Sequence, residues 1–350
     1  MILVQARRAL LLVLAPLWYA GSQVAVPAQT PENSSIVFLS NRDNSQRGFD
    51  LFLLSLDGGK PLNLTRNNKD AGITSASAPR LLTQRNCVVF FSPLTRTFKE
   101  FNLTTSKIRS LVHSEYEAPE YDCSPDQRFL LYTDRIDSTL QLVEVNLETG
   151  ASSNLTRNRF NNIAPRYSPD GATIVFVSDA DGSHSITVMK RDGSGQKVLT
   201  NNFGDDRHPC FSPDGKRIVF VSSRSATVED EFDVYTIDVD GKNFSIVHDG
   251  TAYNTRPEFS RDGTSIVFVS SNRATKLSHV LVKNLVSGVV TVITKNLSLL
   301  SQNVSMSRHG HSLVFEHMTV ADCEIMSYEF ATGVLRNLTN SRSWDCSPSF

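Results

Sequence analysis

The chain has 350 residues, 40% hydrophobic and 20% charged, and its 35 Lys and Arg against 36 Asp and Glu leave a formal net charge of -1. Basic residues are scattered without a dense patch, which argues against a nucleic-acid partner. The five cysteines are an odd number, so at least one stays unpaired within the chain, and their spacing lacks the clustered pairs of a zinc site.

At the N-terminus, Arg7 and Arg8 precede an apolar run from Ala9 to Ala20, and a small-residue stretch ends near Ala28. That order predicts a secretory signal peptide over 1–28 and a single domain over 29–350. The apolar run is shorter than the roughly 20 residues a spanning helix needs, so the expectation is a secreted or periplasmic chain with no stable membrane span. Eight Asn-x-Ser/Thr sequons, at Asn33, Asn63, Asn102, Asn154, Asn243, Asn296, Asn303 and Asn337, are candidate N-glycosylation sites in an exported eukaryotic chain. Four of them read Asn-Leu-Thr, however, and Leu-Thr is itself part of a repeat.

That repeat runs through the rest of the chain. Ser168-Pro-Asp-Gly-Ala-Thr-Ile-Val-Phe-Val-Ser178 returns at Ser212 to Ser222 and at Ser260 to Ser270, and weaker copies begin at Thr30, Thr83, Ser124 and Ser307. Each copy reads as four short strands. Pro169 and Asp170-Gly171 supply a turn, Ile174 to Ser178 is a β-branched and aromatic strand, and Ser185 to Met189 alternates in polarity. Asp192-Gly193 turns the chain again into Lys197 to Thr200. A lone four-stranded sheet cannot bury both faces, whereas a radial array can, so the expected fold is all-β, a β-propeller of four-stranded blades. Seven blades fit the starts near 30, 83, 124, 168, 212, 260 and 307; six is the alternative, because the segment from Asp43 to Leu82 matches poorly. The first copy lacks an opening strand and the chain ends on one, Arg342 to Pro348, with Ser347-Pro348 read as the turn after it. Pairing the two ends would close the ring. In that alignment Cys123 and Cys346 share a repeat position and lie in separate blades.

The motif Pro-x-aromatic-Ser-Pro-Asp-Gly followed by Ile-x-Phe-x-Ser resembles the TolB-type propeller repeat, a relative of the WD-type. The resemblance is strongest from Ala164 to Ser271. It departs from the pattern at Arg261 and Arg308-His309, and at Gln127 and Asn86 where the family has Gly. It implies fold far more than function, since similar repeats occur in periplasmic scaffolds, in gating domains of prolyl-type peptidases and in polyuronate lyases.

No Gly-x-Ser-x-Gly elbow is present, which excludes a hydrolase of that type. His208, His309, His311 and His317, with Asp205 or Asp206, are the only candidates for a metal site, and turn positions explain most of them, so neither a metal nor a cofactor is expected. Loops leading into the innermost strands carry the candidate binding residues Glu117, Asn162, Asp206, Arg207, His208, Asn254, Arg256, Arg342 and Trp344. The expectation is a non-catalytic exported scaffold whose rim binds a protein or cell-surface glycan. The alternative is a polyuronate lyase that uses a basic residue and a bound metal to remove the proton next to a uronate carboxylate.

Overall fold

A computed structural model describes residues 35–350 apart from 44–47, 67–72, 75–76, 118, 201–203, 225–230, 250–251, 273, 296, 298–300 and 308–309. The signal-peptide reading, Asn33, Asn296 and His309 lie outside the described residues. Seven four-stranded antiparallel sheets form seven blades. Blade I opens at the strand Arg80–Leu82, II at Tyr121–Cys123, III at Asn162–Tyr167, IV at Asp206–Phe211, V at Tyr253–Phe259 and VI at Ser301–Met306. Blade VII joins the two ends of the chain in the order Asp345–Ser349, Ser35–Ser40, Asp50–Ser55 and Leu62–Asn63. The six-blade alternative is thereby removed.

The second strand of each blade is the apolar run of the repeat. It is buried on both faces because blades cover each other, so it reads as a continuous hydrophobic stretch. Its central aromatic recurs as Phe38, Phe90, Tyr132, Phe176, Phe220, Phe268 and Phe315, all 0–1% exposed. Truncating any one of these to Ala costs about 3–5 kcal/mol by lost burial and the cavity left behind.

The turn ahead of this strand owes its stability to Ser and Asp. Ser168 Oγ donates to Asp170 Oδ1 at 2.5 Å and accepts the Thr173 amide at 2.9 Å, while Asp170 accepts the Ala172 amide. The same bonds recur around Ser212 and Ser260, where Arg261 replaces the usual proline without loss. Gly171 sits at φ 70°, and Gln127 and Asn86 take its place at φ 57° and 50°. These departures from the repeat therefore keep its backbone. Asn tolerates that region through its short polar side chain, and the Gln127 carboxamide is tied to the Gln84 amide at 2.9 Å.

Leu-Thr, at the end of the outermost strand, also has a structural task. The hydroxyls of Thr65, Thr156, Thr200 and Thr339, and of Thr294 in the matching Ile-Thr, accept amides of the neighbouring third strands, at 2.8–3.1 Å. Folding thus accounts for the threonine in three of the four Asn-Leu-Thr sequons.

Ring closure occurs as expected, in a different register. Ser40 faces Asp345 and Leu39 faces Cys346, as Ser222 faces Asp206 and Val221 faces Arg207 in blade IV. Ser347-Pro348 therefore lies inside the innermost strand and is not the turn that ends it. Cys346 accordingly matches Arg207 in the repeat, whereas Cys123 precedes the Ser-Pro turn, which corrects the expected equivalence of the two cysteines. None of the five cysteines is joined in a disulfide.

Candidate functional site: the axial channel

In blades III to VII the innermost strand is interrupted by a bulge with a left-handed residue, and Ala78, just ahead of the innermost strand of blade I, has the same backbone. Ala78, Ala164, His208, Arg256, Asn303 and Ser347 have φ between 37° and 54°. In all but Asn303 the next residue is proline, whose missing N–H is tolerated where the ladder skips a residue. Register shifts mark the irregularity in blades III to VII. These six residues line a central cavity of about 180 Å³. On the arc of blades III, VII and I the bulge positions are small, whereas blades IV, V and VI present an imidazole, a guanidinium and a carboxamide.

Two residues further along, the strands add a charged tier containing Arg80, Arg166 and Glu258, with Glu120 from blade II beside them. Arg166 donates to the Tyr121 carbonyl at 3.2 Å, and Arg80 to Ser349 Oγ at 3.4 Å. Arg256 has no hydrogen-bond partner among the described residues, and burial together with Arg166 and Arg80 pulls its pKa down. His208, half-buried on the channel wall beside Arg256 and Arg166, has its pKa lowered to about 3, first by burial and then by those cations. It is neutral near pH 7. Burial raises the Glu258 pKa, against the pull of Arg80, Arg166 and Arg256. The channel therefore gathers three guanidiniums, Arg80 and Arg166 half-buried and Arg256 exposed to the solvent inside it, against the carboxyls of Glu120 and Glu258, a concentration of positive charge that favours an anionic ligand.

Of the residues singled out from the sequence, the structure brings His208 and Arg256 together in the channel. Asn162, Asp206 and Asn254 are buried at the starts of innermost strands and hold loops. Asn162 donates to Asn158 Oδ1 at 2.9 Å, Asp206 pairs with Arg224 at 3.2 Å, and Asn254 donates to the Phe232 carbonyl at 2.7 Å. Arg207 lies outside the channel, paired with Asp205, which also meets His184 Nδ1 at 2.6 Å, and it covers the Phe232 ring. Glu117 pairs with Arg96 on the surface. Arg342 and Trp344 are exposed, and the Trp344 amide donates to Asn41 Oδ1. The sequence reading missed Arg80, Arg166, Glu258, Asn303 and Glu316 as site residues. For Arg80, Arg166 and Glu258 the signal was present, since each directly follows a strand proline, Pro79, Pro165 or Pro257; Asn303 precedes Val304 and has no such marker.

Among the described residues no three His, Cys, Asp or Glu side chains cluster to hold a metal ion. In the channel His208 stands among arginines, so this donor set does not fit a protein-held cation. His317 lies within the strand Ser312–Met318 of blade VI, buried, with burial lowering its pKa.

Residues 110–229 match the family described as the TolB beta propeller domain. No curated protein matches the chain in sequence. Among solved structures, TolB from Acinetobacter baumannii is 18% identical, with a TM-score of 0.58 over 92% of this chain and 80% of that one. An oligogalacturonate lyase in complex with manganese is 15% identical, with a TM-score of 0.68 over 90% and 89%. A puromycin-hydrolyzing peptidase from Mycobacterium tuberculosis is 14% identical, with a TM-score of 0.70 over 89% of this chain and 52% of that one. The expectation of a non-catalytic scaffold, more a binder than an enzyme, is corrected by these likenesses. The lyase and the peptidase, both catalytic proteins, superpose better than TolB does, and the lyase matches over nearly its whole length.

Proposed function

Starting from a chain that is a TolB-like, WD40-like seven-bladed propeller, we propose that it is an enzyme that cleaves uronate-containing saccharides by β-elimination in its axial channel. The observation that carries this reading is the convergence of Arg80, Arg166 and Arg256 with a neutral imidazole, His208, on one cavity. The proton next to a uronate carboxylate is weakly acidic because its loss places a second negative charge on the carboxylate. A guanidinium held against that carboxylate stabilises the enolate as it forms. Arg256, without a protein partner, is the side chain open to this task. Neutral His208 accepts the proton, and the carboxylate arriving beside it raises its basicity by offsetting the surrounding cations. The electron pair left on carbon forms the double bond as the glycosidic oxygen departs and takes a proton. Likeness to an oligogalacturonate lyase along 90% of the chain supports the same reading. The basic, apolar and small-residue order of the N-terminus supports work outside the cytoplasm.

The test is incubation of the purified chain with oligogalacturonate and a panel of other uronides, with and without divalent metal, following the ultraviolet absorbance of unsaturated product. Turnover is expected, reduced about 100-fold or more in Arg256→Ala. Absence of unsaturated product across the panel sinks the proposal.

A further inference from the structure

One position in the second strands breaks the repeat in the middle of the core. Where the other blades place Leu39, Phe91, Thr133, Val177, Val221 and Val269, blade VI places Glu316, 4% exposed. A carboxylate at an apolar repeat position is expensive unless its environment is built for it, and such breaks in local consistency mark functional sites. The environment is built. Glu316 Oε1 accepts Asn303 Nδ2 at 2.7 Å and also accepts the backbone amide of Ser347. Both partners are left-handed bulge residues that line the channel, one in blade VI and the other in the closing strand of blade VII.

We infer that Glu316 is a positioning residue: from behind the channel wall it aims the Asn303 carboxamide and anchors Ser347, so that His208, Arg256 and Asn303 form a one-sided arc that receives the carboxylate of an acidic sugar. The small side chains Ala78, Ala164 and Ser347 leave the opposite side of the cavity for the sugar ring. The choice of ligand rests on the lyase reading; the positioning role does not. One consequence concerns the sequon at Asn303. Its nitrogen is committed to a buried carboxylate inside the channel, so it carries no glycan.

Both hydrogen bonds fall on one oxygen, which separates two variants. Glu316→Gln keeps an acceptor oxygen for Asn303 and Ser347, whereas Glu316→Ala removes it. The titratable groups facing Glu316 are Arg256 from blade V, Cys323 from the next strand of blade VI and Cys346 from the closing strand. Burial raises the Glu316 pKa, and the Ser347 amide and Asn303 oppose the rise. Galacturonate binding is measured by titration calorimetry from acid to neutral pH, alongside nitrogen-edited spectra of the Asn303 carboxamide. Wild type and Glu316→Gln are expected to bind within about twofold of each other, and Glu316→Ala at least about tenfold more weakly with its circular dichroism unchanged. A carboxyl titration in the affinity profile of wild type should be missing from Glu316→Gln. Equal affinity in Glu316→Ala and wild type overturns the inference. Absence of galacturonate binding by wild type removes the lyase reading alone, and the spectra then decide. An exchange-protected Asn303 carboxamide in wild type and Glu316→Gln that is lost in Glu316→Ala upholds the positioning role; an unchanged one overturns it.

Discussion

His208 shows how a single position gains its chemistry from the backbone. A left-handed φ of 54° turns it out of the strand ladder and into the channel, where burial and the neighbouring Arg256 and Arg166 disfavour its cation. The unfolded chain binds a proton at this residue below about pH 6.5, whereas the folded one does so only near pH 3. Between those values the unfolded state holds more protons, so stability rises with pH, and it is lost as the pH falls below about 6.5. His208→Gln should flatten that part of the curve. Thermal midpoints of wild type and variant, recorded against pH, check this; equally steep curves would show that the imidazole is not buried as a neutral group. His208 and Arg256 were legible in the sequence as the residues before Pro209 and Pro257. Glu316 stands in the sequence as a charge in an apolar column; its partner Asn303 lies on the adjacent strand of the same blade, whereas Ser347 belongs to blade VII and is brought to it only by the closing of the ring.

At the scale of the element, two polar contacts recur with a visible repeat signature: the Ser-Asp turn in blades II to V and the threonine clasp in blades II, III, V, VI and VII. Ser-x-Asp-Gly closes the first turn, and Leu-Thr fastens the outermost strand to the third. Thr156 tests the second device. It is fully buried and accepts the Leu142 amide at 2.8 Å, so Thr156→Val leaves that N–H without a partner at nearly constant volume. The expected loss is about 1–3 kcal/mol, read as a lower urea midpoint with an unchanged slope. The positions of turns and strands were legible because these contacts are local, spanning two to five residues in the Ser-Asp turn and 14 in the threonine clasp. The bulges of the innermost strands were not. Pro165, Pro209 and Pro257 announce an interrupted ladder, but the left-handed residue before each is a property of the pairing, which a list of residues does not contain.

At the scale of the whole molecule, stability depends on closing the ring, because an open propeller would expose the edges of blade VII. The joint pairs Ser35–Ser40 with Asp345–Ser349 and adds an ion pair, Arg42 to Asp345, at 2.7 Å. Asp345 is fully buried, with Ser341 as a further donor at 2.9 Å. Arg42→Ala should cost about 2–4 kcal/mol, since it leaves a buried carboxylate short of its cation, and hydrogen exchange should rise first in the two joined strands. A loss spread evenly over all blades would argue that closure is not the weak joint. The sequence by itself determined the blade: repeat period, turn chemistry and apolar columns are local or periodic, and they dictate four-stranded sheets that must stack radially to bury their faces. It also determined that the two ends share a blade. The tertiary structure alone decided the register of that closure, with Pro348 inside the strand, because the pairing of Leu39 with Cys346 and Ser40 with Asp345 joins residues from opposite ends of the chain. It also decided the site: an arginine is one polar residue among 35 Lys and Arg in the sequence, and becomes part of one basic channel only when strands from seven blades face a common axis.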